Sequence, residues 1–189
     1  MRYKGSLSKH WTVLASRIIF EGHPHRLRLD TCRTPDGVAV TDYFVREVND
    51  VAMVFALTPD DQVVLVRQYR HAAGVETLEL PQGLLDAGEE FMAAGARELL
   101  EETGYAAPHL TKLTDFLSNP AVQTNRVHLL LGLDAADTGT RSPDPEEDLD
   151  VLLHPLADID SLIASGEIRS GSSVAGILFA LRHLARSRP

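Results

Sequence analysis

The sequence predicts a mixed α/β fold preceded by a small antiparallel sheet. Three observations lead to this prediction. Alternating or continuously apolar segments of strand length dominate the first half of the chain. Further strand-like segments lie on both sides of one helix-like segment, and the C-terminal part has helical periodicity. Strands on both sides of a central helix, followed by helices, are typical of a layered α/β domain.

The first predicted unit is a three-stranded antiparallel sheet. Its segments alternate or run apolar, and they are separated by the turn sequences Glu21-Gly22-His23-Pro24 and Thr34-Pro35-Asp36-Gly37. The predicted strands are Trp11–Phe20, His25–Thr34 and Val38–Glu47. We therefore place an N-terminal sheet in residues 1–47 and a second domain in residues 48–189.

The second domain begins with two strands joined at Thr58-Pro59-Asp60-Asp61. A helix is predicted from Glu90 to Thr103, and a loop rich in Pro, Asp and Glu spans Ala135–Asp148. The remaining predicted strands are Val51–Leu57, Val63–Tyr69, Leu113–Leu117, Arg126–Leu133 and Leu149–His154, and the C-terminal helices are Asp158–Ser165 and Ser172–Ser187.

Composition bounds the class of protein. With 189 residues, of which 44% are hydrophobic and 24% charged, the chain can form one core domain and a small appendage. Its single cysteine, Cys32, cannot form an internal disulfide, and we expect a cytoplasmic protein. No membrane span is expected, since no stretch approaches ~18 apolar residues. The net charge of −9 argues against nonspecific binding to nucleic acid.

The predicted central helix has an unusual distribution of charge. On a helical wheel its apolar residues, Leu99 and Leu100 among them, share one arc, and Glu98, Glu101 and Glu102 share the opposite side. Like charges three and four residues apart destabilise a helix by a few tenths of a kcal/mol per pair. An acidic helix face is most often only solvated, but three crowded carboxylates also suit a hard cation such as Mg²⁺ or Mn²⁺.

A motif of fixed spacing decides between these two interpretations. The chain reads G, five residues, E, seven residues, R-E, a hydrophobic residue, any residue, E-E, any residue, G and a hydrophobic residue. The probability that all seven fixed identities occur by chance is on the order of 10⁻⁸ for each starting position in a sequence. This pattern resembles the Nudix box at every fixed position. The matching residues are Gly83, Glu89, Arg97, Glu98, Glu101, Glu102 and Gly104.

Resemblance to the Nudix hydrolases implies an α/β/α sandwich with a mixed sheet and a metal-dependent hydrolytic site. It implies that Arg97 orients carboxylates and acts with Glu102 in catalysis, and that Gly104 ends the helix. Family members usually have a small residue where this chain has Gln82, a minor departure if only the backbone carbonyl binds metal. The implied metal ligands are the carbonyl of Gln82 and the carboxylates of Glu98, Glu101, Glu102 and Glu147.

Sequence outside the box resembles the ADP-ribose pyrophosphatase branch of the family. The segments that carry this resemblance are the N-terminal sheet, Val51–Arg70 and Leu78–Gly83, with Pro120 fifteen residues beyond Tyr105. Such enzymes are usually homodimers in which the N-terminal sheet packs on the partner and helps form the substrate pocket. By this resemblance, the implied substrate-binding residues are Arg46, Glu47, Arg70, Pro120 and Asn125.

The segment after the box departs from the branch pattern. Many members read S-P-G-x-x-x-E here, whereas this chain has Ala121 in place of the glycine and Asn125 in place of the glutamate. An asparagine side chain both donates and accepts hydrogen bonds. We therefore expect a broader or shifted specificity among nucleoside diphosphate sugars.

The resemblance also implies a general base in the acidic loop. Glu147 aligns with a metal-ligand position, and Glu146 is the nearest candidate base, although Glu147 is an alternative for that role. The predicted reaction is Mg²⁺-dependent cleavage of ADP-ribose or a related nucleoside diphosphate sugar. Other Nudix substrates remain open alternatives: dinucleoside polyphosphates, oxidised nucleotides or NADH. A non-catalytic domain that senses ADP-ribose is a further alternative.

Overall fold

The computed structural model describes residues 10–22, 24–142 and 148–187, and it divides into two compact units. The first unit contains residues 10–49 together with Asn119–Asn125. The second contains Asp50–Ser118 and the chain from Arg126 onward. No helix in the described ranges is both long and apolar enough to cross a bilayer.

The first unit is a three-stranded antiparallel sheet. Its strands are β1 (Thr12–Gly22), β2 (His25–Arg33) and β3 (Ala39–Glu47), paired in the order β1-β2-β3. Strand β1 is exposed along nearly its whole length, whereas the central strand β2 buries Asp30 and Cys32. The predicted strands therefore agree with the structure to within two residues at each end.

A segment from later in the chain completes the first unit. The backbone N–H of Arg46 donates to the carbonyl of Val122 at 2.7 Å, and that of Thr124 donates to the carbonyl of Arg46 at 3.2 Å. The hydroxyl of Tyr43 donates to the carbonyl of Ala121 at 2.7 Å. Because the segment has no strand pattern of its own, its attachment to β3 is not evident from the sequence.

The second unit contains nine strands and three α-helices within its described residues. Its strands are β4 (Val51–Ala56), β5 (Gln62–Arg70), β6 (Val75–Glu79), β7 (Gln82–Leu84), β8 (Tyr105–Ala106), β9 (His109–Leu117), β10 (Arg126–Leu133), β11 (Ala136–Asp137) and β12 (Leu149–Pro155). Its helices are α1 (Phe91–Thr103), α2 (Ile159–Ser165) and α3 (Gly171–Ser187), with a short 3-10 helix at Leu156–Asp158.

These strands form a mixed sheet and two antiparallel ones. The mixed sheet has the order β7-β4-β10-β9, in which β4 and β10 are parallel and the outer pairs are antiparallel. A second sheet has the order β12-β5-β6, and β8 pairs with β11. The predicted mixed α/β fold with an antiparallel N-terminal sheet is confirmed. The strands of two or three residues were not predicted, because such short segments carry no periodicity.

Alternation along β4 builds one core on each face of the mixed sheet. Met53 and Phe55 lie in a core that includes Ile177 of α3. Val54 lies in the other core, with Leu99 of α1. The helices therefore cover both faces, which gives the layered arrangement and places α1 beside β7.

Candidate active site

Helix α1 buries two of its glutamates. Glu98 is 8% exposed and Glu102 is 4% exposed, on the side of the helix that also buries Leu99. Leu100 is exposed at 36%. The predicted division into an apolar arc and an opposite acidic face is therefore wrong in part. The side of α1 that packs against the rest of the unit carries Glu98 and Glu102 as well as Leu99. Leu100 lies on the other side of the helix and is therefore exposed to solvent.

Close packing brings these carboxylates against the loop that precedes the helix. Gly83 in β7 is so near Glu98 that a Cβ at position 83 would collide with the Glu98 carboxyl carbon and both its oxygens. The backbone N–H of Gln82 donates to Oε2 of Glu102 at 3.1 Å. The beginning of the box thus contacts its glutamate-bearing end directly.

Glycines with positive φ lie in the loop before α1 and directly after the helix. Gly88 has φ of 82°, and the backbone N–H of Glu89 donates to the carbonyl of Asp86 at 3.0 Å. Gly104 follows α1 with φ of 77°, and its N–H donates to the carbonyl of Leu100 at 2.8 Å. Gly104 is therefore confirmed as the end of the helix, because a left-handed residue stops it there.

Arg97 connects the loop to the acidic face of α1. Its guanidinium forms two hydrogen bonds to Glu89, at 3.0 Å and 2.9 Å, and one to the carbonyl of Leu84 at 3.2 Å. Its Nη1 also donates to Glu98 at 2.7 Å and to Glu101 at 3.1 Å. A planar guanidinium has the donors needed for all these acceptors.

This network shifts the pKa of two groups. The hydrogen bonds from Arg97 lower the pKa of Glu89 to about 2, and the backbone N–H of Asp86 contributes in the same direction. The pKa of Arg97 is raised above its ordinary value, chiefly by the hydrogen bonds to Glu89. Both groups are therefore charged over the whole physiological pH range.

The acidic side chains do not yet surround a common point. Within residues 10–142 and 148–187, no three acidic, histidine or cysteine side chains form a group that would hold a metal ion. Glu98 and Glu101 instead accept hydrogen bonds from the guanidinium of Arg97. Glu101 is the more accessible of the two, with a side chain that is 42% exposed.

Two of the predicted site residues, Glu146 and Glu147, lie outside the described residues. The described chain on either side of them is attached to the end of α1. Arg141 donates from Nε to the carbonyl of Glu102 at 2.7 Å and from Nη2 to that of Leu149 at 2.6 Å. The backbone N–H of Ser142 donates to the carbonyl of Glu101 at 3.3 Å.

Arg70, predicted to bind the diphosphate, forms an ion pair in the structure. Its Nε and Nη2 donate to the two carboxylate oxygens of Glu79 at 2.9 Å and 2.6 Å. The Arg70 side chain is 43% exposed, whereas that of Glu79 is 1% exposed. One side of the guanidinium is therefore held by a buried carboxylate while much of the side chain remains accessible.

The other predicted substrate-binding residues belong to the first unit. Nη2 of Arg46 lies 3.1 Å from Nδ1 of His25, and Glu47 forms ion pairs with Arg26 and Arg28. Pro120 is exposed. Asn125 is 4% exposed, and its buried Oδ1 has no hydrogen-bond partner among the described residues.

Sequence reasoning did not single out Glu79 or Arg141. Glu79 lies between Leu78 and Leu80 just before the box, and a charged residue in such an apolar run is a usable signal of burial with a partner. Arg141 lies within the predicted loop Ala135–Asp148 and carries no such signal. Its two backbone acceptors are residues 102 and 149, which only the folded chain brings together.

The fold and this loop and helix define a class of protein. The family model described as NUDIX domain matches residues 48–174. A second, described as nucleoside diphosphate sugar hydrolase N-terminal domain, matches residues 11–45. The chain belongs to the Nudix family, and it is a Nudix hydrolase.

Known relatives cover most of the chain. An ADP-ribose pyrophosphatase of Mycobacterium tuberculosis is 34% identical over 168 residues, which are 88% of this chain and 81% of the relative. A GDP-mannose pyrophosphatase of Escherichia coli is 28% identical over 182 residues, which are 89% of this chain and 93% of the relative. A crystal structure of an ADP compounds hydrolase matches with a TM-score of 0.82 and 22% identity, over 97% of this chain and 98% of its own. That structural likeness shows the shared fold.

Proposed function

We propose that this chain is a Mg²⁺-dependent pyrophosphohydrolase that cleaves ADP-ribose or a related nucleoside diphosphate sugar. The products would be a nucleoside monophosphate and a sugar phosphate. One observation carries the proposal: Glu98 and Glu102 are buried together beside the loop that opens the box. The match to a nucleoside diphosphate sugar hydrolase N-terminal domain and the names of the two relatives support the substrate class.

The residues present suit a hard divalent cation. Burying ionised carboxylates is costly unless positive charge compensates them, and three box carboxylates, Glu89, Glu98 and Glu101, form ion pairs with a single arginine, Arg97. All the donors are oxygens, which Mg²⁺ prefers. Because Gly83 has no side chain, the Glu98 carboxylate packs directly against the backbone of β7. These features fit the ligand set of Gln82, Glu98, Glu101, Glu102 and Glu147.

Bound Mg²⁺ would lower the pKa of a ligated water and neutralise charge on the diphosphate. The protein groups would perform the remaining tasks. Arg97 holds the carboxylates in place through its guanidinium. Glu146 or Glu147 would accept the proton of the attacking water, and Arg70 would bind a diphosphate oxygen through charge-assisted hydrogen bonds.

The first unit would supply recognition of the nucleoside. Arg46, Glu47, Pro120 and Asn125 all belong to this unit. The buried Oδ1 of Asn125, which has no hydrogen-bond partner within the described part of the chain, is an acceptor for which a substrate N–H or O–H would be suitable. Because other members have a glutamate here, we expect the preferred base or sugar to differ from that of strict ADP-ribose enzymes.

A homodimer through the N-terminal sheet is also part of this proposal. Trp11, immediately before β1, and Ile18 and Phe20 within it are between 39% and 53% exposed. Large apolar side chains on an edge strand favour association, and a second copy would cover them. Sedimentation at micromolar concentration is expected to give a dimer, and a monomer at every concentration would contradict this part. The buried, free thiol of Cys32 is compatible with the proposed cytoplasmic location.

A substrate panel tests the proposed activity. Purified protein would be incubated with Mg²⁺ and ADP-ribose, GDP-mannose, ADP-glucose, UDP-glucose, diadenosine polyphosphates or NADH, and the released nucleoside monophosphate would be measured. Glu102→Gln, which keeps the shape of the side chain and removes its charge, is the control variant. Metal-dependent cleavage of a diphosphate sugar that is lost in Glu102→Gln is expected. Preferred cleavage of a dinucleoside polyphosphate or NADH, or no cleavage, would overturn the substrate class.

A further inference from the structure

Glu79, the last residue of β6, is the most deeply buried glutamate in the described chain, with 1% of its surface exposed. It accepts three hydrogen bonds from side chains. Two come from Arg70, at 2.9 Å and 2.6 Å, and one comes from Nε2 of Gln82 to Oε2 at 3.0 Å. The carboxylate thus contacts both a predicted substrate-binding residue and a predicted metal-ligand residue.

The strand register explains how the contact with Arg70 forms. Glu79 is paired with Val66, and Arg70 lies four residues further along β5. Residues two apart on a strand share a face, so Val66, Gln68 and Arg70 lie on the face that carries Glu79. The long Arg70 side chain must therefore return along this face to reach the carboxylate, and the two parallel hydrogen bonds fix the plane of its guanidinium.

Gln82 connects Glu79 to the carboxylates of α1. Its side-chain amide donates to Glu79, and its backbone N–H donates to Oε2 of Glu102 at 3.1 Å. A single residue therefore contacts the buried carboxylate beneath Arg70 and a buried carboxylate of the box. Displacing Glu79 would move Arg70 and Gln82 together.

We propose that Glu79 is a positioning residue for hydrolysis, which orients Arg70 towards the diphosphate. This inference rests on the proposed function. Glu79 itself would not contact the substrate. Its charge would compensate Arg70 in the free enzyme, and its two oxygens would keep the guanidinium in one orientation. The guanidinium would then need little reorganisation to bind the diphosphate.

Kinetics of Glu79→Gln, Arg70→Ala and the double variant would test this proposal on the substrate that the wild type cleaves. Glu79→Gln is expected to lower kcat/KM by about 10-fold or more, mostly through a higher KM, because the diphosphate contact is misoriented. If Glu79 acts through Arg70, adding Glu79→Gln to the Arg70→Ala variant should have little effect. The kcat/KM of the double variant should be less than about 2-fold below that of Arg70→Ala. Glu79→Asp should recover part of the loss.

Ser173→Ala is a matched control for stability. Ser173 is fully buried and accepts a hydrogen bond from the backbone N–H of Leu80 at 3.1 Å, next to Glu79 but without a contact to Arg70. Its loss should lower the melting temperature while leaving KM unchanged. If Glu79→Gln does not fold, Glu79→Asp in both backgrounds provides the same comparison.

Three results would overturn the proposal: an unchanged kcat/KM in Glu79→Gln, a Glu79→Gln effect that persists in full without Arg70, or a KM change in Ser173→Ala as large as that of Glu79→Gln. Failure of the proposed function would be distinct from all of these. In that case the wild-type protein itself would cleave no nucleoside diphosphate sugar.

Discussion

Gly83 lies directly against the carboxylate of Glu98, with no space between them for a methyl group. Any side chain at position 83 must displace either the backbone of β7 or the Glu98 carboxylate. The first glycine of the box is therefore required by a contact with a glutamate fifteen positions later. The φ angle of Gly83 is not in the left-handed region, so close approach, rather than a special backbone conformation, accounts for this glycine.

Substituting Gly83 by alanine should impair metal-dependent turnover. The new methyl group would push the Glu98 carboxylate from its position, so we expect kcat to fall about 10²-fold and the Mg²⁺ concentration for half-maximal rate to rise. A Mg²⁺ titration of the hydrolysis rate measures both. Gly171→Ala, where a Cβ would meet nothing within 4 Å, is the control and should behave as wild type. A wild-type Mg²⁺ titration curve for Gly83→Ala would contradict the role given to Glu98.

Replacing Arg97 by lysine should lower both stability and activity. A lysine ammonium cannot reproduce the fork that holds Glu89, nor can it reach Glu98 and Glu101 at the same time. We expect the free energy of unfolding to fall by about 1–3 kcal/mol, because partly buried acceptors lose their donors. Turnover should fall about 10²-fold.

Urea unfolding and steady-state kinetics would measure these two effects of Arg97→Lys. Arg169→Lys is a suitable control, since Arg169 makes one exposed side-chain hydrogen bond to the carbonyl of Gly166. That variant should change the free energy of unfolding by less than about 0.5 kcal/mol. Equal effects of the two substitutions would show that the Arg97 network has no special importance.

Much of the fold could be predicted from the sequence because its signals are local. The strands of the N-terminal sheet are bounded by turn sequences, and the box fixes the position of the central helix. The attachment of Asn119–Asn125 to β3 could not be predicted, because it depends on backbone hydrogen bonds between distant segments. The segment is short and polar, and nothing in it specifies Arg46 as its partner.

The candidate site was predicted by residue type rather than by arrangement. The sequence pointed to Glu98 and Glu102 but placed them on the side of the helix opposite its apolar arc, whereas the structure buries both beside Leu99. A helical wheel does not show that another segment, here β7, covers part of the polar face of α1. The partner of Arg70 was missed for a related reason: Glu79 is nine residues away along the chain, and only strand pairing brings it close.

Acid should weaken the network around Glu89. In the folded protein the pKa of Glu89 is lowered from 4.5 to about 2, so folding favours the ionised form. The stabilisation is therefore fully present above about pH 4.5 and is lost as the pH falls towards 2. Glu89→Gln should be less stable than the wild type at pH 6. This difference in the free energy of unfolding should shrink as the pH falls from about 4.5 to about 2.

Urea unfolding of metal-free protein at several pH values measures this difference for Glu89→Gln. Glu76→Gln, at an exposed position of β6, is the control and should not reproduce the loss of stability of Glu89→Gln at pH 6. A constant difference between the wild type and Glu89→Gln from pH 6 to pH 2 would contradict the lowered pKa.

Separate substitutions in the acidic loop should distinguish the general base from a metal ligand. Arg141 and Ser142, which lie in this loop, donate hydrogen bonds to carbonyls at the end of α1, which supports a contribution of Glu146 or Glu147 to the chemistry there. Replacing the base by glutamine should lower kcat by about 10²-fold or more and remove the acidic limb of the pH–rate profile. Replacing a ligand should instead raise the Mg²⁺ concentration for half-maximal rate. Asp148→Asn, at an exposed position of the same loop, is the control. If neither Glu146→Gln nor Glu147→Gln reduces turnover, the base must come from elsewhere in the chain.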